Sequence, residues 1–194
     1  KAVAAAKALL GEQSVRQRSF VQAHGSSTPK NRTTEADVLH QVAQAFGINN
    51  WPVAAVKAYL GHSLAPASAD QLFATLGVFK HGILPGIKTT HAIADDVCAE
   101  RLCFSLQDKP LSTMDVAFLN SKGFGGNNAT ACVIAPHIAT KMLAQRYGQA
   151  ALLDYQQQAE AVAANSQAYA IAAQHGELSP IYKFGQDMID ENEI

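Results

Sequence analysis

Ser19-Phe20-Val21-Gln22-Ala23-His24-Gly25-Ser26-Ser27-Thr28-Pro29 is a short apolar run that ends on a histidine and breaks into a turn. The run has the length of a buried strand, and the glycine, serines and proline that follow punctuate it. In α/β folds the carboxyl end of such a strand opens into the functional crevice. The pattern returns at Trp51-Pro52-Val53-Ala54-Ala55-Val56, which leads into Lys57-Ala58-Tyr59-Leu60-Gly61-His62. A third apolar run, Asp115 to Leu119, enters Asn120-Ser121-Lys122-Gly123-Phe124-Gly125-Gly126-Asn127-Asn128 and returns through Ala129 to Ala135, which is a hairpin pattern.

Helices are expected between these strands. Residues 1–10 are Ala-rich and stop at Gly11. Thr34-Glu35-Ala36-Asp37 has the form of a capped helix start, followed by Val38, Leu39, Val42, Ala45 and Phe46 at helical spacing and Gly47 at the end. A helix from about Pro66 to Lys80 is expected to bury Leu72, Phe73, Leu76 and Phe79. Residues 82–99 read as irregular, and Arg101 to Leu106 as a strand. Alternating strands and helices make an α/β fold with a mixed sheet covered by helices. After Pro136 the chain turns rich in Ala and Gln, with Ala159, Val162, Ala163, Ser166, Tyr169 and Ala173 in one helical stripe. The expected domains are 1–137, which holds the strands, and 138–194, a helical extension with an acidic tail over Asp187 to Ile194.

Composition bounds the function. The 194 residues are 48% hydrophobic and 16% charged, which describes a globular chain, and the net charge of -1 gives no electrostatic case for nucleic acid or an anionic membrane. No apolar stretch approaches the ~20 residues of a membrane helix. Cys98, Cys103 and Cys132 match no metal or redox spacing, and a cytoplasmic protein with reduced thiols is the simplest reading. Cys132 lies in an apolar run and reads as core.

Each chemical candidate has an ordinary explanation beside it. A single histidine at a turn is more often packed than catalytic, but His24 and His62 repeat the arrangement. Lys57 leaves a buried strand and needs either a partner or a path to water. Glu35 suits the first turn of a helix. Ser26 and Thr28 are common turn residues. The glycines of Gly123-Phe124-Gly125-Gly126 serve a tight hairpin or aim an N–H at a developing oxyanion.

Taken together, these motifs resemble the C-terminal half of a β-ketoacyl-acyl-carrier-protein synthase of the thiolase-like superfamily. The family's His-Gly-Thr-Gly-Thr-Pro motif stands here as His24 to Pro29, and its glutamate falls on Glu35. Its Lys-x-x-x-Gly-His motif falls on Lys57, Gly61 and His62, and its Asn-Ser-Phe-Gly-Phe-Gly-Gly-Thr-Asn turn on Asn120 to Asn128. The resemblance covers roughly residues 1–136. It implies a decarboxylative Claisen condensation of an acyl thioester with malonyl carrier protein, in fatty-acid or polyketide synthesis. His24 and His62 would hold the malonyl carbonyl and stabilise the enolate. Lys57 and Glu35 would form a charge network that orients the second histidine. Ser26 and Thr28 would bind the pantetheine arm, and Phe124 and Gly125 would belong to the gate and oxyanion turn beside the acyl chain.

The resemblance also implies that there is no metal and no cofactor beyond the phosphopantetheine of acyl carrier protein. The implied partners are that carrier, the N-terminal half of the synthase and a second copy in a dimer. The nucleophilic cysteine belongs to the N-terminal half, and none of the three cysteines here has its context, so the chain alone is expected to be inactive. A non-catalytic chain-length-factor-like subunit is the rival reading. A degradative thiolase needs a cysteine in the Gly123–Gly126 stretch, which has none. Ser27, Arg32, Ser68, Lys122 and Asn127 depart from the family pattern near the expected site while sparing His24, His62, Lys57 and Glu35.

Overall fold

The computed structural model describes residues 1–178. The expected acidic tail lies outside the described residues. The chain divides into two compact units, Lys1–Lys141 and Met142–Ile194.

The first unit is built on a five-stranded sheet in the order β4-β2-β1-β6-β7. β1 (Ser19–Gln22), β2 (Trp51–Ala54), β4 (Leu102–Phe104) and β6 (Val116–Lys122) run parallel, and β7 (Asn128–Ile134) returns antiparallel to β6. The register pairs Gln22 with Ala54 on one side and with Leu119 on the other, so β1 and β2 end at one level and β6 runs three residues further, to Lys122. β3 (Ile83–Leu84) and β5 (Lys109–Pro110) form a separate short ribbon, inside and beyond the stretch read as irregular.

Alternate residues of β1 point to two cores. Val21 and Ala23 pack with Trp51, Val53 and Phe118, with α1 (Ala2–Leu10) and with α3 (Pro29–Phe46), whereas Phe20 packs with Ala54, Val78 and Ala117 beneath α5 (Ala67–His81). At the opposite end of the sheet from His24, buried Asp115 accepts from Ser14 of α2 (Glu12–Gln17) at 2.6 Å and from Arg18 at 2.6 Å. His137, at the start of α6 (Pro136–Tyr147), lies 3.1 Å from its other oxygen. Burial pushes the Asp115 carboxyl up, but the hydrogen bonds from Ser14, Arg18 and His137 outweigh it and hold the group below its usual range.

The structure corrects the reading in three places. α3 starts at Pro29, with Thr28 as its cap, instead of at Thr34. Thr28 Oγ1 accepts the Asn31 N–H, and Pro29 at the first helical position loses no hydrogen bond, so a residue that looked like the end of a turn begins the helix. α5 is rotated from expectation: Gln71, Thr75 and Val78 are buried, whereas Leu72, Phe73 and Leu76 are exposed, Phe73 at 77%. Only Phe79 keeps its expected side, its ring meeting Phe20 edge to face at 5.7 Å. Cys132 is exposed, because β7 is an edge strand and most of its length has no layer over either face.

In the second unit α7 (Gln149–Gln174) is one long helix. Its stripe residues Val162 and Tyr169 are exposed, and Leu152 is the residue it buries. Among the described residues, no helix is long and apolar enough to cross a membrane.

Candidate active site

The carboxyl ends of β1, β2 and β6 carry the site. β1 delivers His24, β2 delivers Lys57 at the head of the short helix α4 (Lys57–Leu60), and β6 delivers Asn120 to Lys122. His62 follows Gly61, whose φ of 71° is a left-handed conformation that suits glycine and turns the chain back toward the sheet.

Glu35 is buried on α3 and works as a hub. Its Oε1 accepts the His24 N–H at 2.7 Å and the Asn120 side-chain amide at 2.6 Å. Its Oε2 accepts the Gly25 N–H and the Asn31 side-chain amide, both at 3.0 Å. Four donors satisfy a desolvated carboxylate. Lys57 is also buried, and its ammonium donates to the His24 carbonyl at 2.5 Å. Burial lowers the Lys57 pKa, while the charges of Glu35 and Asp70 work against the change. The hydrogen bonds of Lys57 and Glu35 thus reach the backbone of His24. Among the described residues neither bonds to His62, the histidine they were expected to orient.

The two imidazoles stand edge to face, with centroids 5.1 Å apart and planes at 84°. The Lys122 backbone N–H donates to His24 Nδ1 at 3.2 Å, and the Leu64 backbone N–H donates to His62 Nδ1 at 3.2 Å. A backbone N–H only donates, so both Nδ1 atoms are acceptors and each neutral ring carries its proton on Nε2. Burial, Lys57, His62 and Lys122 lower the His24 pKa, against the opposing charge of Glu35, and the ring is neutral at pH 7. Both rings line a cavity of about 320 Å3, together with Leu64, Ser68, Ser121, Lys122 and Asn127. None of the three cysteines lines it.

The other expected site residues are placed differently. Thr28 caps α3, Ser26 is half-buried, and neither lines the His24–His62 cavity. Phe124 is 96% exposed, and Gly125 has a φ of 76° in the turn that follows β6. Four of the five residues that depart from the family pattern have local partners, and Ser27 takes a left-handed φ of 58°. Arg32 forms a two-pronged ion pair with Asp96 (2.9 and 2.8 Å). Ser68 and Ser121 share a hydroxyl hydrogen bond at 2.9 Å, Lys122 Nζ donates to Thr34 at 3.2 Å, and Asn127 donates to the Phe124 carbonyl at 3.1 Å. The sequence reading assigned no role to Asn31, Asn120 or Gln71. The signal for Gln71 was a polar residue one step out of phase with the apolar stripe of its helix.

His24 and His62, the buried Glu35 hub and the glycine-rich hairpin after β6 thus gather at one end of the sheet. Residues 2–91 match the family described as "Beta-ketoacyl synthase, C-terminal domain". It is 58% identical to the "Beta-ketoacyl-[acyl-carrier-protein] synthase FabY" of Pseudomonas aeruginosa over 198 aligned residues, 100% of this chain and 31% of that protein. The crystal structure of the "noncanonical ketosynthase FabY" from P. aeruginosa superposes with a TM-score of 0.91 at 56% identity, covering 98% of this chain and 30% of that one. "3-oxoacyl-[acyl-carrier-protein] synthase 1" of Escherichia coli is 29% identical over 111 residues, 57% of this chain and 26% of that protein. The chain therefore spans less than a third of the length of these relatives. The likeness to FabY includes the helical second unit, whereas the family match ends at residue 91.

Proposed function

We propose that the His24–His62 pocket serves a β-ketoacyl-acyl-carrier-protein synthase by binding the malonyl thioester carbonyl and stabilising its enolate. The observation that supports this most directly is the pair of imidazoles whose Nδ1 atoms are both held by backbone N–H groups. Each ring then offers one Nε2–H donor. The malonyl C–C bond to the carboxylate breaks, CO2 leaves, and the electron pair passes to the thioester oxygen between those donors. The enolate carbon then attacks an acyl thioester and expels its thiolate. A neutral ring donates without trapping the enolate as an enol, and the lowered His24 pKa supports that state at pH 7.

In this reading the malonyl group arrives on the phosphopantetheine of acyl carrier protein, with Ser26, Thr28, Phe124 and Gly125 along its approach. The acylated cysteine comes from the N-terminal half of the synthase, because no cysteine of this chain lines the pocket. The 194 residues alone then condense nothing. The exposed Leu72, Phe73 and Leu76 offer an apolar face for that half, and the active form is a dimer. A chain-length-factor-like subunit has no need of two tautomerically held donors, so we place it second.

The test is malonyl-thioester decarboxylation by the intact polypeptide that carries this sequence. His24→Ala and His62→Ala should each lower kcat by about 10²- to 10³-fold, with folding retained. Rates within twofold of the parent in both variants would overturn the proposal.

A further inference from the structure

We propose that Gln71 is a positioning residue for the His24 site, an inference that rests on the catalytic reading of that site. Gln71 is fully buried on α5. Its amide nitrogen donates to the Ala23 carbonyl at 2.8 Å and to the Asn120 carbonyl at 3.0 Å. Ala23 immediately precedes His24. Asn120 binds Glu35 through its side chain and lies two residues before Lys122, whose N–H holds His24 Nδ1. The ladder from β1 to β6 pairs Gln22 with Leu119, and beyond it one NH2 group joins the two strand ends. Glu35 links the same two segments through the Asn120 side chain, whereas Gln71 ties their backbones to each other directly.

The chemistry selects an amide. Two carbonyl oxygens converge on the position, so it must supply two donors. A carboxylate supplies none and repels both oxygens, and an apolar side chain leaves them unpaired.

The surroundings show that this contact does not serve packing. Phe20 meets Phe79 across the β1–α5 interface, and Thr75 and Gln71 lie one and two helical turns before Phe79. Gln22 lies on the Phe20 face of β1, two residues along. All three polar residues are buried in this otherwise apolar layer. The Gln71 carbonyl oxygen, the Thr75 hydroxyl and both polar atoms of the Gln22 amide have no protein partner. Such a row is destabilising by itself. The two Gln71 hydrogen bonds oppose that cost and fix the rotation of α5 that leaves Leu72, Phe73 and Leu76 outside. Of the three, only Gln71 bonds to the site.

The experiment uses the intact polypeptide with 15N-labelled histidine. Gln71→Met keeps the length of the side chain and removes both donors. It should convert His24 from the single Nε2–H tautomer to a mixture in the 15N spectrum, and lower the decarboxylation kcat about ten- to a hundredfold with KM little changed. Gln71→Glu donates only when its carboxyl is protonated. The protonated carboxyl has one O–H for the two carbonyls, so its single tautomer and its rate should recover in part as pH falls from 8 toward 6, opposite to the acid limb of the parent. Thr75→Val, equally buried and bonded to nothing, should leave both readouts unchanged.

An unaltered tautomer with kcat within twofold in Gln71→Met would overturn the proposal, as would equal losses in Thr75→Val. If Gln71→Met does not fold, the Gln71→Glu profile decides, and a profile parallel to that of the parent overturns it. If His24→Ala leaves decarboxylation intact, the catalytic reading falls and the tautomer measurement still decides whether Gln71 sets the ring.

Discussion

Glu35 holds His24 through its peptide N–H, at 2.7 Å, and makes no contact with the imidazole among its hydrogen bonds. The carboxylate reaches across eleven residues of chain to fix where the ring begins, while the Lys122 N–H fixes how the ring turns.

Glu35→Gln should test that division of labour. The amide presents one NH2 to donors that need an acceptor, so two of the four hydrogen bonds lose their partner in a buried setting. The expected destabilisation is about 2 kcal/mol, read as a shift of the urea midpoint. His24 should also lose order in NMR spectra recorded where the variant is still folded. An unchanged midpoint would contradict the hub role.

The pH dependence follows from His24. Its folded pKa lies below the ordinary 6.5, so the unfolded chain takes up the proton first on acidification. The stability contributed by the neutral ring is complete above pH 6.5 and is lost as pH falls through the folded value. Decarboxylation should follow the same limb. Lys122 is one of the charges that lower this pKa, so Lys122→Met should move the limb to higher pH. Titration of the His24 ring protons by NMR measures the shift directly, and a limb that moves to lower pH contradicts the assignment.

Asp115→Asn should loosen the opposite end of the sheet. The substitution leaves Arg18 facing a neutral group and only one oxygen to accept from Ser14, Arg18 and His137. Arg18 is 34% exposed, so water screens part of the loss, and about 2 kcal/mol is expected from thermal unfolding. The native Asp115 carboxyl lies below its ordinary 3.8, so its contribution is present above that pH and lost as pH falls through the lowered value. Asp115→Asn should therefore flatten the acid limb of stability.

What could be read from the sequence was what local chemistry decides. Strand endings at His24 and Lys57 were marked by turn residues, and the hairpin around Gly123 to Gly126 by its glycines. The phase of α5 could not be read in that way. Leu72, Phe73 and Leu76 outnumber Gln71 and Thr75, and the rotation is set by two strand-end carbonyls that become neighbours only in the folded sheet. The start of α3 was misplaced because Thr28-Pro29 closes a turn and opens a helix with the same residues. Cys132 looked like core because an apolar strand gives no local sign that it will lie at an edge. The roles expected of Lys57 and Glu35 came from the resemblance to the family, whereas which histidine they reach depends on how closely α3 and α4 approach the end of β1.

Because Lys57 and Glu35 grip the peptide group of residue 24, the socket of the imidazole is built independently of the imidazole. His24→Gly should leave that socket standing, with the Lys122 N–H still directed into it. Dissolved imidazole can then occupy the place of the missing ring, and added imidazole should restore part of the decarboxylation rate. His62 sits on a turn held through its own ring by Leu64, so its loss should not be complementable in the same way.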